Sequence, residues 1–285
     1  YVIIISISSM FFTYIDAIIL GIFVSFSYIG YFNIASIIIF GIISLFTYLG
    51  LVLLPIFTSL HKEKLRKAFN NVLRFLLIFS VPIAFGILAL GKYLVKILYG
   101  TNYLQSTLPL YFLSLLLIIY IPTSLIGTLF LSKGKPKHIA KSIIISLFLN
   151  VILSFILISS LLKVSELWAI GGAAISSVIS KYLLFFYLVK LTKKKLKLKI
   201  ESSIFIKPII ASLIMFLFLY SLNSLIIKDI TLYSGILEVI VGIIFYLFIM
   251  VVIKGITKDD FILIKKLLIK GAYKPLQHNS LKKEP

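Results

Sequence analysis

Long apolar stretches, separated by short segments that carry nearly all of the charge, dominate this sequence. About 20 apolar residues suffice to cross the hydrocarbon core of a membrane as an α-helix. Eight such stretches are present, at residues 2–20, 33–57, 72–90, 106–131, 142–162, 168–189, 204–227 and 233–253. They are long and continuous, unlike the short alternating strands of an outer-membrane barrel. The sequence therefore predicts an all-α polytopic membrane protein with about eight transmembrane helices.

Composition excludes most soluble classes. Hydrophobic residues make up 61 % of the chain and charged residues 13 %, which leaves too little polar surface for a water-soluble globule. The net charge of +20 would suggest nucleic acid in a soluble protein. Lysines placed beside membrane spans favour lipid headgroups instead, so we expect membrane lipids and no nucleic acid as partners. The absence of Cys excludes disulfides and thiolate metal sites.

Basic residues are divided very unequally between the two sets of alternate connections. One set, together with the C-terminal tail, holds 24 of the 29 Lys and Arg residues, and the other set holds four. Lys and Arg concentrate on the cytoplasmic side of membrane proteins. This distribution predicts a multi-pass protein of the cytoplasmic membrane whose C-terminus is cytoplasmic.

Asp16, in the first span, is the most informative ionisable residue, because a charge at the centre of a span costs about 2.5–3.5 kcal/mol on insertion scales. Ser6, Ser9 and Thr13 precede it at spacings that place all four side chains on one helical face. Such a stripe faces a water-filled cavity or supplies hydrogen bonds to a partner helix. The cavity is favoured, since a carboxylate is a less usual interhelical bridge than a hydroxyl. We therefore predict that these four residues bind substrate or an ion.

Two further ionisable residues fall within spans. Lys181 either lines the same cavity or extends its ammonium toward the cytoplasmic headgroups, and the sequence favours neither. We include it among the candidate binding residues. Glu238, near the start of the last span, is predicted to be interfacial. The small residues at 171–174 are predicted to be a close-packing surface.

Enzyme chemistry finds no support in the sequence. The motifs GxxxxGK[ST], GxSxG and HExxH are absent, and the three His residues are far apart. We predict no catalytic residue, no metal site and no cofactor. Residues 257–270 of the tail have the pattern of an interfacial amphipathic helix, and a solvated basic tail is the alternative.

A series of short motifs resembles the polysaccharide exporters and lipid-linked oligosaccharide flippases (Wzx type) of the multidrug/oligosaccharidyl-lipid/polysaccharide superfamily. The motifs are YIDAIILG at 14–21, IGYFNIA at 29–35, LYGTNY at 98–103, SKGK at 132–135, NVIL at 150–153 and GGAAISS at 171–177. Their order and spacing match the family across nearly the whole chain.

The resemblance implies a two-lobed transporter whose six-helix lobes rock around a central cavity. Residues 1–190 would form the second lobe, residues 191–253 two additional helices and residues 254–285 a basic cytoplasmic tail, and a first lobe would precede Tyr1. The implied function is alternating-access transport of a polyprenyl-linked oligosaccharide, with H⁺ or Na⁺ as a possible coupling ion at Asp16.

Two alternatives remain at this point. A cation-coupled multidrug antiporter belongs to the same superfamily. A membrane glycan polymerase or ligase is less favoured, because such enzymes carry a large outer loop with catalytic side chains and every outer connection here is short.

Overall fold

The computed structural model describes residues 1–198, 200–201, 203–225 and 232–255. Within these ranges the chain is helical. The α-helices are α1 (Val2–Phe23), α2 (Phe26–Ser59), α3 (Lys62–Tyr99), α4 (Thr107–Ser114), α5 (Leu116–Ser132), α6 (Pro136–Leu162), α7 (Glu166–Leu196), α8 (Ser203–Leu225) and α9 (Leu232–Val252), with a 3₁₀ helix at Thr101–Ser106. The predicted amphipathic segment of the tail lies outside the described residues.

The predicted all-α fold with about eight spans is confirmed for the described part of the chain. Seven helices are each long and apolar enough to cross a membrane. The eighth span is a bent pair, in which the segment Thr101–Ser114 meets Leu116–Ser132 at 44°. At the bend, the amides of Leu115 and Ile118 donate to carbonyls three residues earlier, at 3.2 and 3.3 Å, which is a tighter turn than the α-helix has.

Several helices extend well beyond the predicted spans. The third predicted span covers residues 72–90, whereas α3 has 38 residues and begins at Lys62. The charged residues at its start end the apolar run, but Lys, Arg and Glu are good helix formers in water. The apolar stretch therefore marks the membrane-embedded part of the helix and not the helix itself.

One large core joins α1 to α7. In it α1 packs on α6, α6 packs closely along α7, and α5 lies against α2, α3 and α7. A smaller apolar cluster joins α3 to α8 and α9, where the Tyr246 hydroxyl donates to the Ile78 carbonyl at 2.9 Å. The larger core also takes in Leu198 and Ile204, so neither cluster stops at residue 190, and the division into residues 1–190 and 191–253 stays a prediction.

Glycine allows α6 and α7 to approach closely. A Cβ on Gly172 would lie 3.0 Å from the backbone oxygen of Leu157, so a larger residue would force the two backbones apart. Gly171, by contrast, faces the end of the Leu108 side chain at 3.3 Å. The close-packing role predicted for these small residues agrees with this geometry.

Glu238 is an exception to the sequence-based expectations. It was predicted to be interfacial, but the structure buries it, with 2 % of its surface exposed. The prediction was wrong because α9 turns this residue toward the rest of the protein, and a position near the start of a span does not reveal which way a side chain points.

Candidate substrate and ion site

Asp16 lies where α1, α6 and α7 meet. Its side chain is 3 % exposed. One carboxylate oxygen accepts hydrogen bonds from the hydroxyl of Ser154 at 2.7 Å and from the amide of Asn150 at 3.2 Å. The other oxygen accepts a hydrogen bond from the hydroxyl of Ser177. Three donors on two neighbouring helices thus hold the carboxylate in place.

A polar stripe on α6 supplies two of these donors. Ser142, Ser146, Asn150 and Ser154 recur every four residues and are all buried. Spacing by four places them on one face of the helix. The stripe continues onto α7, because the Ser154 and Ser176 hydroxyls are 2.6 Å apart. Asp16 is therefore the acidic member of a buried polar cluster made of Asp16, Asn150, Ser154, Ser176 and Ser177.

Lys181 points into the bundle. Its side chain is 5 % exposed, and its ammonium lies 3.5 Å from the centre of the Phe12 ring and 5.0 Å from that of Tyr120. Both distances are typical of cation–π contacts. The ammonium also lies within Coulombic range of Asp16. Of the two placements that the sequence left open, the structure has the inward one.

The predicted stripe on α1 is only partly brought to this cluster. Ser6 is exposed and Ser9 and Thr13 are half-buried. The Thr13 hydroxyl donates to the Ser9 carbonyl of its own helix at 3.2 Å. The buried face of α1 contains Ser8, Phe12 and Asp16 instead, so that Asp16 lies at the edge of the predicted stripe. The structure thus buries Asp16 and Lys181 within electrostatic influence of each other, whereas no hydrogen bond links Asp16 to Ser6, Ser9 or Thr13 among the described residues.

The sequence interpretation missed Asn150, Ser154, Ser176 and Ser177 as partners of Asp16. A usable signal exists, since the four-residue repeat of polar residues on α6 is visible within an otherwise apolar span. Polar residues repeated on one face of a membrane helix identify the face that meets other helices. Which helix that face meets is not encoded in the repeat.

The polar cluster retains unused hydrogen-bonding capacity. The amide oxygen of Asn150 is fully buried and has no partner among the described residues. The amide nitrogen, by contrast, lies near the Asp16 carboxylate and 3.5 Å from each of the hydroxyls of Ser154, Ser176 and Ser177. The cluster thus gathers amide, carboxylate and hydroxyl oxygens in one place, and oxygen ligands of these kinds suit a hard cation.

In this conformation Asp16 makes interhelical hydrogen bonds and does not face a water-filled cavity. Its access to water in another conformation stays a prediction.

Two comparisons with known proteins, one of family models and one of solved structures, bear on this chain. Residues 1–108 match the model of a family described as polysaccharide biosynthesis protein. In fold, the chain is similar to the lipid II flippase MurJ in an inward closed conformation, with a TM-score of 0.74 and 20 % sequence identity over 87 % of this chain and 52 % of that chain. The chain therefore spans about half the length of that structure. No curated protein sequence matches the chain. The two matches support the resemblance to the flippase superfamily, and the second shows that the chain has a MurJ-like fold.

Proposed function

We propose that this chain is part of a flippase that moves a polyprenyl-linked oligosaccharide or polysaccharide repeat unit across the cytoplasmic membrane by alternating access. The observation that carries the proposal is the pair Asp16 and Lys181, buried inside an apolar bundle with a flippase-like fold. Burial of two ionisable groups away from water is costly, and apolar residues would fill the same space more favourably. A role in transport therefore explains the presence of Asp16 and Lys181 better than a contribution to stability does.

Lys181 is the proposed ligand for the phosphate groups of the substrate. An ammonium has three N–H donors. In the described part of the chain its contacts are two aromatic ring faces, which attract a cation but accept no strong hydrogen bond. A diphosphate supplies both negative charge and acceptor oxygens. A lipid-linked diphosphate cannot cross hydrocarbon unaided, so a buried cation at the centre of the bundle offers what this headgroup needs.

Asp16 is the proposed site of the coupling ion. The carboxylate, the Asn150 amide and the serine hydroxyls can enclose H⁺ or Na⁺ by using oxygen atoms alone. Since Asp16 lies within Coulombic range of Lys181, an ion bound at Asp16 changes the field at the ammonium. Ion binding and substrate binding would then be coupled through this pair.

The orientation proposed for the chain places the C-terminus in the cytoplasm. It rests on the excess of basic residues in one set of connections. The ends of α3, α7 and α9 that carry these residues lie together on one side of the bundle, as this orientation requires.

Binding of a polyprenyl diphosphate that bears one sugar tests the proposal. The purified chain in lipid nanodiscs should bind this lipid, and Lys181→Met, which keeps the length of the side chain and removes the charge, should weaken binding by about tenfold to a hundredfold. Lys163→Met removes a charge from an exposed residue between α6 and α7 and is the matched control; it should bind as the wild type does.

Two results would contradict the proposal. Equal affinity of wild type and Lys181→Met would exclude Lys181 as the phosphate ligand. Binding of a hydrophobic organic cation, lost in Asp16→Asn, with no binding of the lipid diphosphate would identify a multidrug antiporter instead.

A further inference from the structure

Glu238 is a buried carboxyl group with no part in the transport site proposed above. It lies on α9, about 9 Å along the helix axis from the first residue, Leu232, and 2 % of its surface is exposed. Neither carboxyl oxygen has a hydrogen-bond partner in the part of the chain that the structure describes. An ionised carboxyl group buried without a partner is very costly in apolar surroundings. These surroundings therefore favour a carboxyl group that is neutral or that binds a cation.

Two contacts show how α8 and α9 pair. The Lys207 ammonium, near the start of α8, donates to the Lys254 carbonyl, just after the end of α9, at 2.8 Å. Further along, a Cβ on Gly242 of α9 would lie 3.1 Å from the Leu219 side chain of α8. From the first contact to the second, the chain advances by twelve residues on α8 and goes back by twelve on α9. The two helices are therefore antiparallel and keep one register.

This register places Asn223 of α8 opposite Glu238. Asn223 lies one turn after Leu219, and Glu238 lies one turn before Gly242. The Asn223 amide is within electrostatic reach of the Glu238 carboxyl group. Its nitrogen and oxygen are buried and, like the two carboxyl oxygens, have no hydrogen-bond partner among the described residues. Four unsatisfied polar atoms thus come together between the two helices.

The pair has apolar surroundings. From α3, the cluster that joins this helix to α8 and α9 contains Phe85, Ala89 and Leu90. Lys92, the next charged residue along α3, is exposed, as is Tyr233 of α9. The Tyr246 hydroxyl, on the same helix, already donates to the Ile78 carbonyl. No charged side chain in the described ranges therefore compensates a negative charge on Glu238.

A proton suits this pair better than a metal ion does. Ca²⁺ and Mg²⁺ take about six or more oxygen ligands, whereas Glu238 and Asn223 together offer three oxygen atoms. A neutral carboxyl group has one O–H donor and an acceptor oxygen, and an amide has an N–H donor and an acceptor oxygen. The two groups can therefore satisfy each other with two hydrogen bonds. An ionised carboxylate only accepts, and would leave the amide oxygen without a donor.

We propose that Glu238 and Asn223 form a proton-binding site between α8 and α9, in which Glu238 binds the proton and the neutral carboxyl group pairs with the Asn223 amide. Loss of the proton leaves a carboxylate in apolar surroundings and so weakens the contact between the two helices. Occupancy of the site by a proton thus stabilises this contact. The site is separate from the Asp16 cluster and does not depend on the proposed transport function.

Reaction with dicyclohexylcarbodiimide tests whether the proton is present. This apolar reagent reacts with a protonated carboxyl group: the proton moves to a nitrogen of the reagent, and the carboxyl oxygen bonds to its central carbon. In the full chain in lipid nanodiscs, Glu238 should react at a constant rate from about pH 5 to pH 7, as followed by mass spectrometry of peptides. A carboxyl group that ionises as it does in water would lose about tenfold in rate per pH unit over that range. Exposed Glu63, in the first turn of α3, is the internal control and should show this loss.

Thermal unfolding of Glu238→Gln tests the effect of the proton on stability. Gln has the shape of a neutral Glu and has no proton to release. Because Glu238 keeps its proton in the folded state and loses it to water on unfolding, the wild type should become less stable as the pH rises from about 6 to 8, and the variant should lose less stability. Glu63→Gln removes an exposed carboxylate and should keep the wild-type dependence on pH.

A double-mutant cycle tests the pairing with Asn223. At about pH 5, Asn223→Leu should lower the unfolding temperature of the wild type, because it removes the partner of the neutral carboxyl group. In the Glu238→Leu variant the amide has no partner to lose, so the same substitution should have little effect. Additive effects of the two substitutions would show that the side chains are not paired.

Three further results would overturn the proton site. A tenfold loss of labelling per pH unit at Glu238 would show that the carboxyl group is ionised. Protection of Glu238 from the reagent by Na⁺, compared with choline at the same ionic strength, would assign the site to a metal ion. The same dependence of stability on pH in the wild type and in Glu238→Gln would show that Glu238 releases no proton on unfolding.

Discussion

At the residue scale, the Asp16 carboxylate suits two roles: it can stabilise the contact between helices by hydrogen bonding, and it can bind an ion. Its hydrogen bonds to Ser154, Asn150 and Ser177 offset much of the cost of burial. The same donors have oxygen atoms that could coordinate an ion when α1, α6 and α7 rearrange. A static hydrogen-bonded cluster and an ion site therefore use identical residues, and only a functional measurement separates them.

The substitution Asp16→Asn distinguishes the ion-binding role from the purely structural role. Asn has nearly the same shape, carries no charge and can still hydrogen-bond to the serine hydroxyls, so stability should change by about 1 kcal/mol or less. If the carboxylate binds the coupling ion, cells that depend on the protein for glycan export should accumulate the variant normally and lose most export. Export is measured by surface glycan, and accumulation by immunoblot of membranes. Normal export at normal accumulation would remove Asp16 from the site.

At the element scale, the contact between α6 and α7 determines whether the polar cluster can form. Asn150 and Ser154 reach Ser176 and Ser177 because the two backbones approach closely at Gly172. Any widening of this interface separates the hydroxyls that hold Asp16. The glycine thus acts on the site without touching it.

Gly172→Ala should therefore destabilise the protein, by about 1–3 kcal/mol, because the new methyl group lies 3.0 Å from the backbone oxygen of Leu157 and a backbone atom moves only with its helix. Gly171→Ala meets the tip of the Leu108 side chain, which can change rotamer, and should cost less. Thermal unfolding of the two purified variants measures the difference. Equal destabilisation would show that the approach of α6 to α7 is not limited by Gly172.

At the scale of the whole molecule, orientation in the membrane follows from charge and not from packing. The packing of the helices is the same in either orientation across the membrane. During membrane insertion, the end of the bundle that is richer in Lys and Arg stays in the cytoplasm. The lack of Cys makes this testable by labelling of single introduced cysteines.

Exposed positions at opposite ends of the bundle provide the test. Asn102 lies in the 3₁₀ helix before α4, and Lys137 lies in the first turn of α6. In intact cells, Asn102→Cys should react with a membrane-impermeant maleimide and Lys137→Cys should react only after the membrane is opened. Reaction of position 137 from outside would reverse the proposed orientation.

The sequence by itself determined the fold class, the number of spans and the charge distribution that predicts orientation. These are local quantities: the hydropathy of 20 consecutive residues decides whether a segment enters the membrane, whatever lies elsewhere in the chain. The sequence also located Asp16 and Lys181, because an ionisable residue in an apolar span is conspicuous without any structure.

Only the tertiary structure decided what surrounds those residues. The donors to Asp16 come from positions 134, 138 and 161 residues away, on helices whose contact with α1 no local pattern specifies. Contacts between helices also decide that Lys181 points inward and that Glu238 is buried. In a membrane, lipid and protein are equally apolar, so hydrophobicity identifies the helices but does not tell which of their faces meet; close packing and hydrogen bonding between helices decide that.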